Sequence, residues 1–201
     1  GKPQVDSPRR GCPIVMYGTS ILQGGCVSRP GMVHTSLIER ALDMEVINLG
    51  FSGNALLDLD IAQLMASVET PAVYVLDNAP NCRADRINAH SVEFFRVLRD
   101  AHPDVPVVIV EHPLYPTMRL NNAEREDIIA RNNAQKAFYE KLRKAGEKRI
   151  YYVPGDKLLD EMKEGTVDGD HFTDLGVTYY AKALLPTIKK ALKASPNKVG
   201  K

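Results

Sequence analysis

Five short apolar runs constrain this chain more than any other feature. They lie at residues 13–17, 45–50, 72–76, 105–110 and 149–153, and each is closed by glycine, proline or an acidic side chain. The runs are rich in β-branched and aromatic residues and nearly continuous in apolar character. Continuity of this kind means burial on both faces, as in a parallel sheet. Helical patterns separate them, at 33–42, 55–68, 84–101, 123–145 and 174–194. In the second, Leu56, Leu59, Leu64 and Met65 recur near helical spacing; in the third, Ile87, Phe94, Phe95 and Leu98 do so. Strand and helix thus alternate five times. The alternation predicts an α/β protein, a three-layer α/β/α sandwich on a five-stranded parallel sheet with right-handed crossovers.

A chain of 201 residues with 44% hydrophobic content suits one domain with a sizeable core. We place that domain at 11–195, after a polar arm at 1–10 and before a basic tail at 196–201. Charge is balanced, 26 basic against 25 acidic residues, which gives no reason to expect nucleic acid or an anionic membrane as partner. No apolar run is long enough to span a bilayer, and the first ten residues carry no signal-peptide pattern. Gly1 stands where an initiator Met is expected, consistent with a processed end. Cys12, Cys26 and Cys82 have no paired spacing and read as free thiols, mostly buried.

In open parallel sheets ligands bind beyond the carboxyl ends of the strands. The segments there are Gly18-Thr19-Ser20, then Gly50 to Asn54, Asp77 to Asn81, Glu111-His112-Pro113, and a late loop Asp168-Gly169-Asp170-His171. A serine becomes a nucleophile only with a base in reach and donors for the oxyanion. Ser20 alone reads first as a helix cap, and an Asp-x-x-His alone is weak. Together they place a nucleophile after strand one and a base, His171, before the last helix. Asp168, three residues earlier, can hold the imidazole tautomer. Gly53 and an asparagine after strand three are the candidate oxyanion donors.

The set Gly18-Thr19-Ser20, Asn48-Leu49-Gly50-Phe51-Ser52-Gly53-Asn54 and Asp168-Gly169-Asp170-His171 resembles the SGNH (GDSL-like) hydrolase superfamily, over nearly the whole chain. The segment Asp77-Asn78-Ala79-Pro80-Asn81 is similar to a bacterial subgroup in which an Asp and a Pro-Asn pair replace Gly-x-Asn-Asp. The resemblance implies a flavodoxin-like SGNH fold. It implies Ser20, His171 and Asp168 as catalytic residues, and Ser20, Gly53 and Asn81 as the oxyanion hole. The Pro-Asn pairing favours Asn81 over Asn78, while spacing from the strand leaves both open. It further implies ester substrates, with short acyl groups on carbohydrate foremost, and no cofactor. A periplasmic or secreted location and an N-terminal β-domain outside this chain also fit the subgroup. Two departures stand out: Thr19 replaces the acid before the serine, and Phe172 follows the histidine where many relatives carry proline.

Asn78, Arg29 and His112 are candidate substrate-binding residues. His34, His90 and His102 fall on helices or their ends and read as ordinary polar positions. No metal site is expected, because Ser20 explains Asp168 and His171 better than an ion does. Rival readings fail on particular residues. Leu22 stands where a Gly-x-Ser-x-Gly elbow needs its second glycine. No glycine-rich segment runs into Lys-Ser or Lys-Thr, and no convergent cations or metal ligands suggest phosphoryl or sulfuryl transfer. The alternative is a catalytically inactive carbohydrate-binding module of the same fold.

Overall fold

A computed structural model describes residues 11–159 and 164–197. The expected arm at 1–10 and residues 198–201 of the tail lie outside these. Five strands, β1 (Ile14–Gly18), β2 (Val46–Gly50), β3 (Val73–Asp77), β4 (Val107–Val110) and β5 (Ile150–Val153), form one parallel sheet in the order β2-β1-β3-β4-β5. The helices are α1 (Ser20–Gln23), α2 (His34–Leu42), α3 (Leu59–Ala66), α4 (Ala84–Ala101), α5 (Asn122–Lys144) and α6 (Asp174–Lys193). This is the doubly wound α/β order in which the chain reverses direction between β1 and β3, the place where such folds hold ligands.

Alternation along each strand splits the core into two layers. Ile14, Met16, Val73, Val75, Val108 and Val110 face α2 and α6, against Ile38, Val177, Leu184 and Ile188. Val15, Tyr17, Tyr74, Leu76, Val107 and Ile109 face α3, α4 and α5, against Met65, Ile87, Phe94 and Phe138. Burial on both faces holds for the central strands β1, β3 and β4. The outer strands β2 and β5 are only half-buried, because an edge strand carries one neighbour and thinner helical cover.

Close approach of elements at the carboxyl end of the sheet sets the site. α1 lies directly on the end of β2: a Cβ at Gly50 would stand 2.3 Å from the Gln23 amide nitrogen, so only glycine fits. Asn48 then ties the layers together, its amide donating to the Leu22 carbonyl (2.8 Å) and to the Thr35 hydroxyl (3.0 Å).

One helix is shorter than its periodicity predicts. α3 begins at Leu59, not at 55. Ala55 and Leu57 are buried, yet they adopt left-handed backbone with φ of 77° and 63°. The Tyr17 hydroxyl accepts the Leu57 amide at 3.0 Å, and Arg86 donates to the Leu56 carbonyl and to Asp58. Tertiary bonds thus override helical propensity and hold a strained loop, each left-handed non-glycine residue costing on the order of 1–3 kcal/mol. That loop begins at Gly53.

Candidate active site

Ser20 opens α1 directly after β1, and Thr19 caps the helix by accepting the Ile21 amide at 3.3 Å. Thr19 therefore fills the capping role at the position where an acid was expected. Ser20 is 9% exposed, and its Oγ lies 2.9 Å from Nε2 of His171, a residue 151 positions away in sequence.

His171 sits on a small hairpin. Thr166 pairs with Phe172, the Val167 amide donates to the His171 carbonyl (2.8 Å), and the Thr173 amide donates to the Gly165 carbonyl (2.9 Å). Asp168 organises the tip. Its Oδ1 accepts the amides of Asp170 (3.0 Å) and His171 (2.7 Å), while its Oδ2 accepts His171 Nδ1–H at 2.8 Å. That bond fixes the tautomer that leaves Nε2 free to accept a proton from Ser20. The same bonds from His171 hold the Asp168 carboxyl down to about 2, so it stays ionised at neutral pH. Phe172 is buried and packs on Tyr180 with ring centroids 5.0 Å apart. The phenylalanine in place of proline is thus the hydrophobic anchor of the histidine loop.

The remaining predicted residues divide cleanly. Gly53 is exposed at a turn with φ of 68°, closed by the Asn54 amide on the Phe51 carbonyl. Asn81 is half-buried and donates through Nδ2 to the Asn54 carbonyl at 3.0 Å, which joins it to the Gly53 loop. Asn78 is 1% exposed and turned inward, its Oδ1 accepting from Gln135 of α5 (3.3 Å). His112 is also internal: Asn132 binds its backbone on both sides and its Nδ1 lies 2.6 Å from the Pro113 carbonyl. Burial lowers its pKa to about 4, and its 4% exposure leaves little surface for a substrate. Arg29 is exposed on the loop after α1, with Nη1 3.2 Å from the Ser28 hydroxyl.

Sequence reasoning passed over three features. α5 supplies Arg131, Asn132 and Gln135, which brace the backbone after β3 and β4; their signal was only polarity on a helix read as charged on one side. Cys26, read among mostly buried thiols, is exposed and stands beside Asp168 and His171.

His34, read as an ordinary polar position, is fully buried beneath the site. Its Nε2 lies 3.9 Å from Asp77 Oδ2, and the Tyr180 hydroxyl donates to Asp77 Oδ1 at 2.7 Å. Burial lowers His34 to about 3 and raises Asp77 to about 7, so each is neutral through mildly acidic pH. The raised Asp77 value means the folded chain binds a proton that the unfolded chain releases. Its stabilising contribution is complete below about 4 and lost as pH rises to about 7. His34 acts in the opposite sense, losing stability as pH falls from 6.5 toward about 3. Asp77→Asn keeps an acceptor for Tyr180 and leaves His34 as it is. Comparing its denaturation midpoints at pH 5 and pH 8 with those of the parent therefore isolates Asp77. The variant is expected to gain on the parent by at most about 1.4 kcal/mol per pH unit across the rise. Equal pH dependence in the two proteins would place the titrating group elsewhere.

Among the described residues no helix is long and apolar enough to cross a membrane. The profile of the GDSL-like lipase/acylhydrolase family matches residues 11–189. Among solved structures, a Bacteroides ovatus protein described as a GDSL-like lipase is 35% identical, with a TM-score of 0.88 over 98% of this chain. The match spans 57% of that protein, so this chain is little more than half its length. A family two carbohydrate esterase from Clostridium thermocellum matches at 14% identity and TM-score 0.72, over 94% of this chain and 67% of its own. A family 3 carbohydrate esterase from the same organism matches at 16% identity and TM-score 0.67, over 92% and 98%. The last two likenesses speak to the fold alone. No curated protein sequence matches the chain.

Proposed function

The chain belongs to the GDSL-like lipase/acylhydrolase family, and from that membership we propose that it is a serine esterase acting through Ser20, His171 and Asp168. The observation that carries the proposal is the continuous hydrogen-bonded line Ser20 Oγ–His171–Asp168, at 2.9 and 2.8 Å. Ser20 Oγ attacks the ester carbonyl as its proton passes to His171 Nε2. Asp168 stabilises the imidazolium and stays ionised. The tetrahedral oxyanion is bound by the backbone N–H groups of Ser20 and Gly53 and by the side-chain amide of Asn81. His171 returns the proton to the leaving alcohol, and water repeats the sequence on the acyl-enzyme.

Short acyl esters on carbohydrate are the proposed substrates. The nucleophile lies where the strand ends meet open loops, and Asp168 and the Gly53 turn are exposed, which suits a bulky polar alcohol part and a small acyl group. A family two carbohydrate esterase sharing this fold was solved with cellohexaose, in keeping with that class. Rates on a series of p-nitrophenyl esters are expected to be highest for acetate; a steep rise with acyl length would shift the reading to lipids. The proposal itself is tested with a fluorophosphonate, which needs an activated serine and no knowledge of the substrate. Modification is expected at Ser20, mapped by peptide mass spectrometry, and is lost in His171→Ala. Absence of labelling would favour the inactive carbohydrate-binding alternative.

A further inference from the structure

The loop that follows α1 carries Cys26 to the side of the histidine hairpin. The Gly25 amide donates to the Ser20 carbonyl at 2.9 Å, and a Cβ built at Gly25 would lie 3.4 Å from His171 Cδ2. Two residues beyond the cysteine, Ser28 is bonded to Asp174 at the start of α6, through its amide (2.9 Å) and its hydroxyl (2.5 Å). The cysteine loop is thus fastened on one side to the nucleophile's helix and on the other to the element that follows the hairpin. In consequence Cys26 Sγ, a ring nitrogen of His171 and a carboxylate oxygen of Asp168 lie within 4.8 Å of one another. No other group of three such donors occurs among the described residues.

Thiolate, imidazole and carboxylate are the three donor types that bind zinc, with bonds of about 2.0–2.3 Å, so ligand atoms around a tetrahedral ion sit roughly 3.5 Å apart. Cys26 is exposed, so its side chain has room to turn toward the other two donors. Cys26 and Asp168 are exposed and His171 is partly so, which leaves the cluster open to solvent.

We propose that Cys26, His171 and Asp168 form an inhibitory site for a thiophilic divalent cation of the zinc type. The inference shares two residues with the proposed triad and rests on that reading for its effect on catalysis, but binding of the ion does not depend on it. The Cys26 thiol gives its proton to solvent as the sulfur–metal bond forms. An ion on His171 Nε2 occupies the lone pair that would take the Ser20 proton; an ion on Nδ1 displaces the bond to Asp168. Either mode removes the base, and removal of the ion restores it, since no covalent bond of the protein is broken. The device couples hydrolysis to the supply of free metal.

Cobalt(II) serves as the spectroscopic probe and zinc as the inhibitor. One equivalent of cobalt is expected to give thiolate-to-metal charge-transfer absorption in the parent protein and in Ser20→Ala, and none in Cys26→Ser. Zinc is expected to suppress ester hydrolysis and fluorophosphonate labelling in the parent, reversibly with a chelator. Cys26→Ser keeps the uninhibited rate and needs at least roughly tenfold more zinc, the scale on which even an outer-shell change weakens a metal site. A cobalt band without any hydrolysis or labelling would uphold the metal site and sink the esterase reading. Hydrolysis with no thiolate band, or with equal zinc sensitivity in Cys26→Ser, would overturn the metal site and leave the esterase standing.

Discussion

Ser20→Ala is expected to lower kcat on an acetyl ester by roughly ten-thousand- to a million-fold, and adding His171→Ala to it changes little more, as for residues that act as one unit. The reason is geometric. The Ser20 hydroxyl lies 2.9 Å from His171 Nε2, and the base has no task once the hydroxyl is gone. The fold should survive the change. The backbone of α1 is held by the Thr19 cap and by the seat of the helix on Gly50, neither of which uses the serine hydroxyl. Circular dichroism and the denaturation midpoint of Ser20→Ala should therefore match the parent while turnover vanishes. Two results would break the assignment. One is residual activity within tenfold of the parent. The other is a double variant whose loss equals the product of two large single losses, which would mean that serine and histidine act in separate steps.

What the sequence disclosed follows from the range of each signal. The five apolar runs marked every strand to within one or two residues, because burial on both faces writes an unbroken apolar code in β1, β3 and β4, and the half-buried edge strands β2 and β5 keep most of it. The pairing of Ser20 with His171 has no local code, being a contact across 151 positions. It was legible only through residue types arriving in a recognisable order at strand ends. Three things stayed hidden. The left-handed backbone at Ala55 and Leu57 depends on the Tyr17 hydroxyl and on Arg86, both remote in sequence, so apolar spacing there read as helix. His34 carries no mark of burial in its neighbours, and its partner Asp77 lies on another element. Cys26 gained its place beside Asp168 from the Ser28–Asp174 tether, a bond that neither residue type announces.

The proposed third oxyanion donor, Asn81, gives the second large effect. Asn81→Ala is expected to lower kcat roughly a hundred- to a thousand-fold with little change in KM, since the amide's bond forms only as charge develops on the carbonyl oxygen. An asparagine amide carries two hydrogens. At Asn81 one is given to the Asn54 carbonyl at 3.0 Å, which fixes the side chain against the Gly53 loop and leaves the other to donate. Asn78 makes the opposite prediction. It is 1% exposed and engaged by Gln135, so Asn78→Ala removes a buried partner and costs about 1–3 kcal/mol of stability. The kcat of the folded Asn78 variant stays near that of the parent. The two variants therefore separate on two axes, turnover for Asn81 and denaturation midpoint for Asn78. Asn81→Asp sharpens the comparison, because a carboxylate of nearly the same shape has no hydrogen to give and repels the developing charge. It should lose at least as much turnover as the alanine variant. If Asn78→Ala lost the turnover and Asn81→Ala kept it, the oxyanion would lie toward the interior side of the β3 loop, and the Pro-Asn pair would serve only the turn.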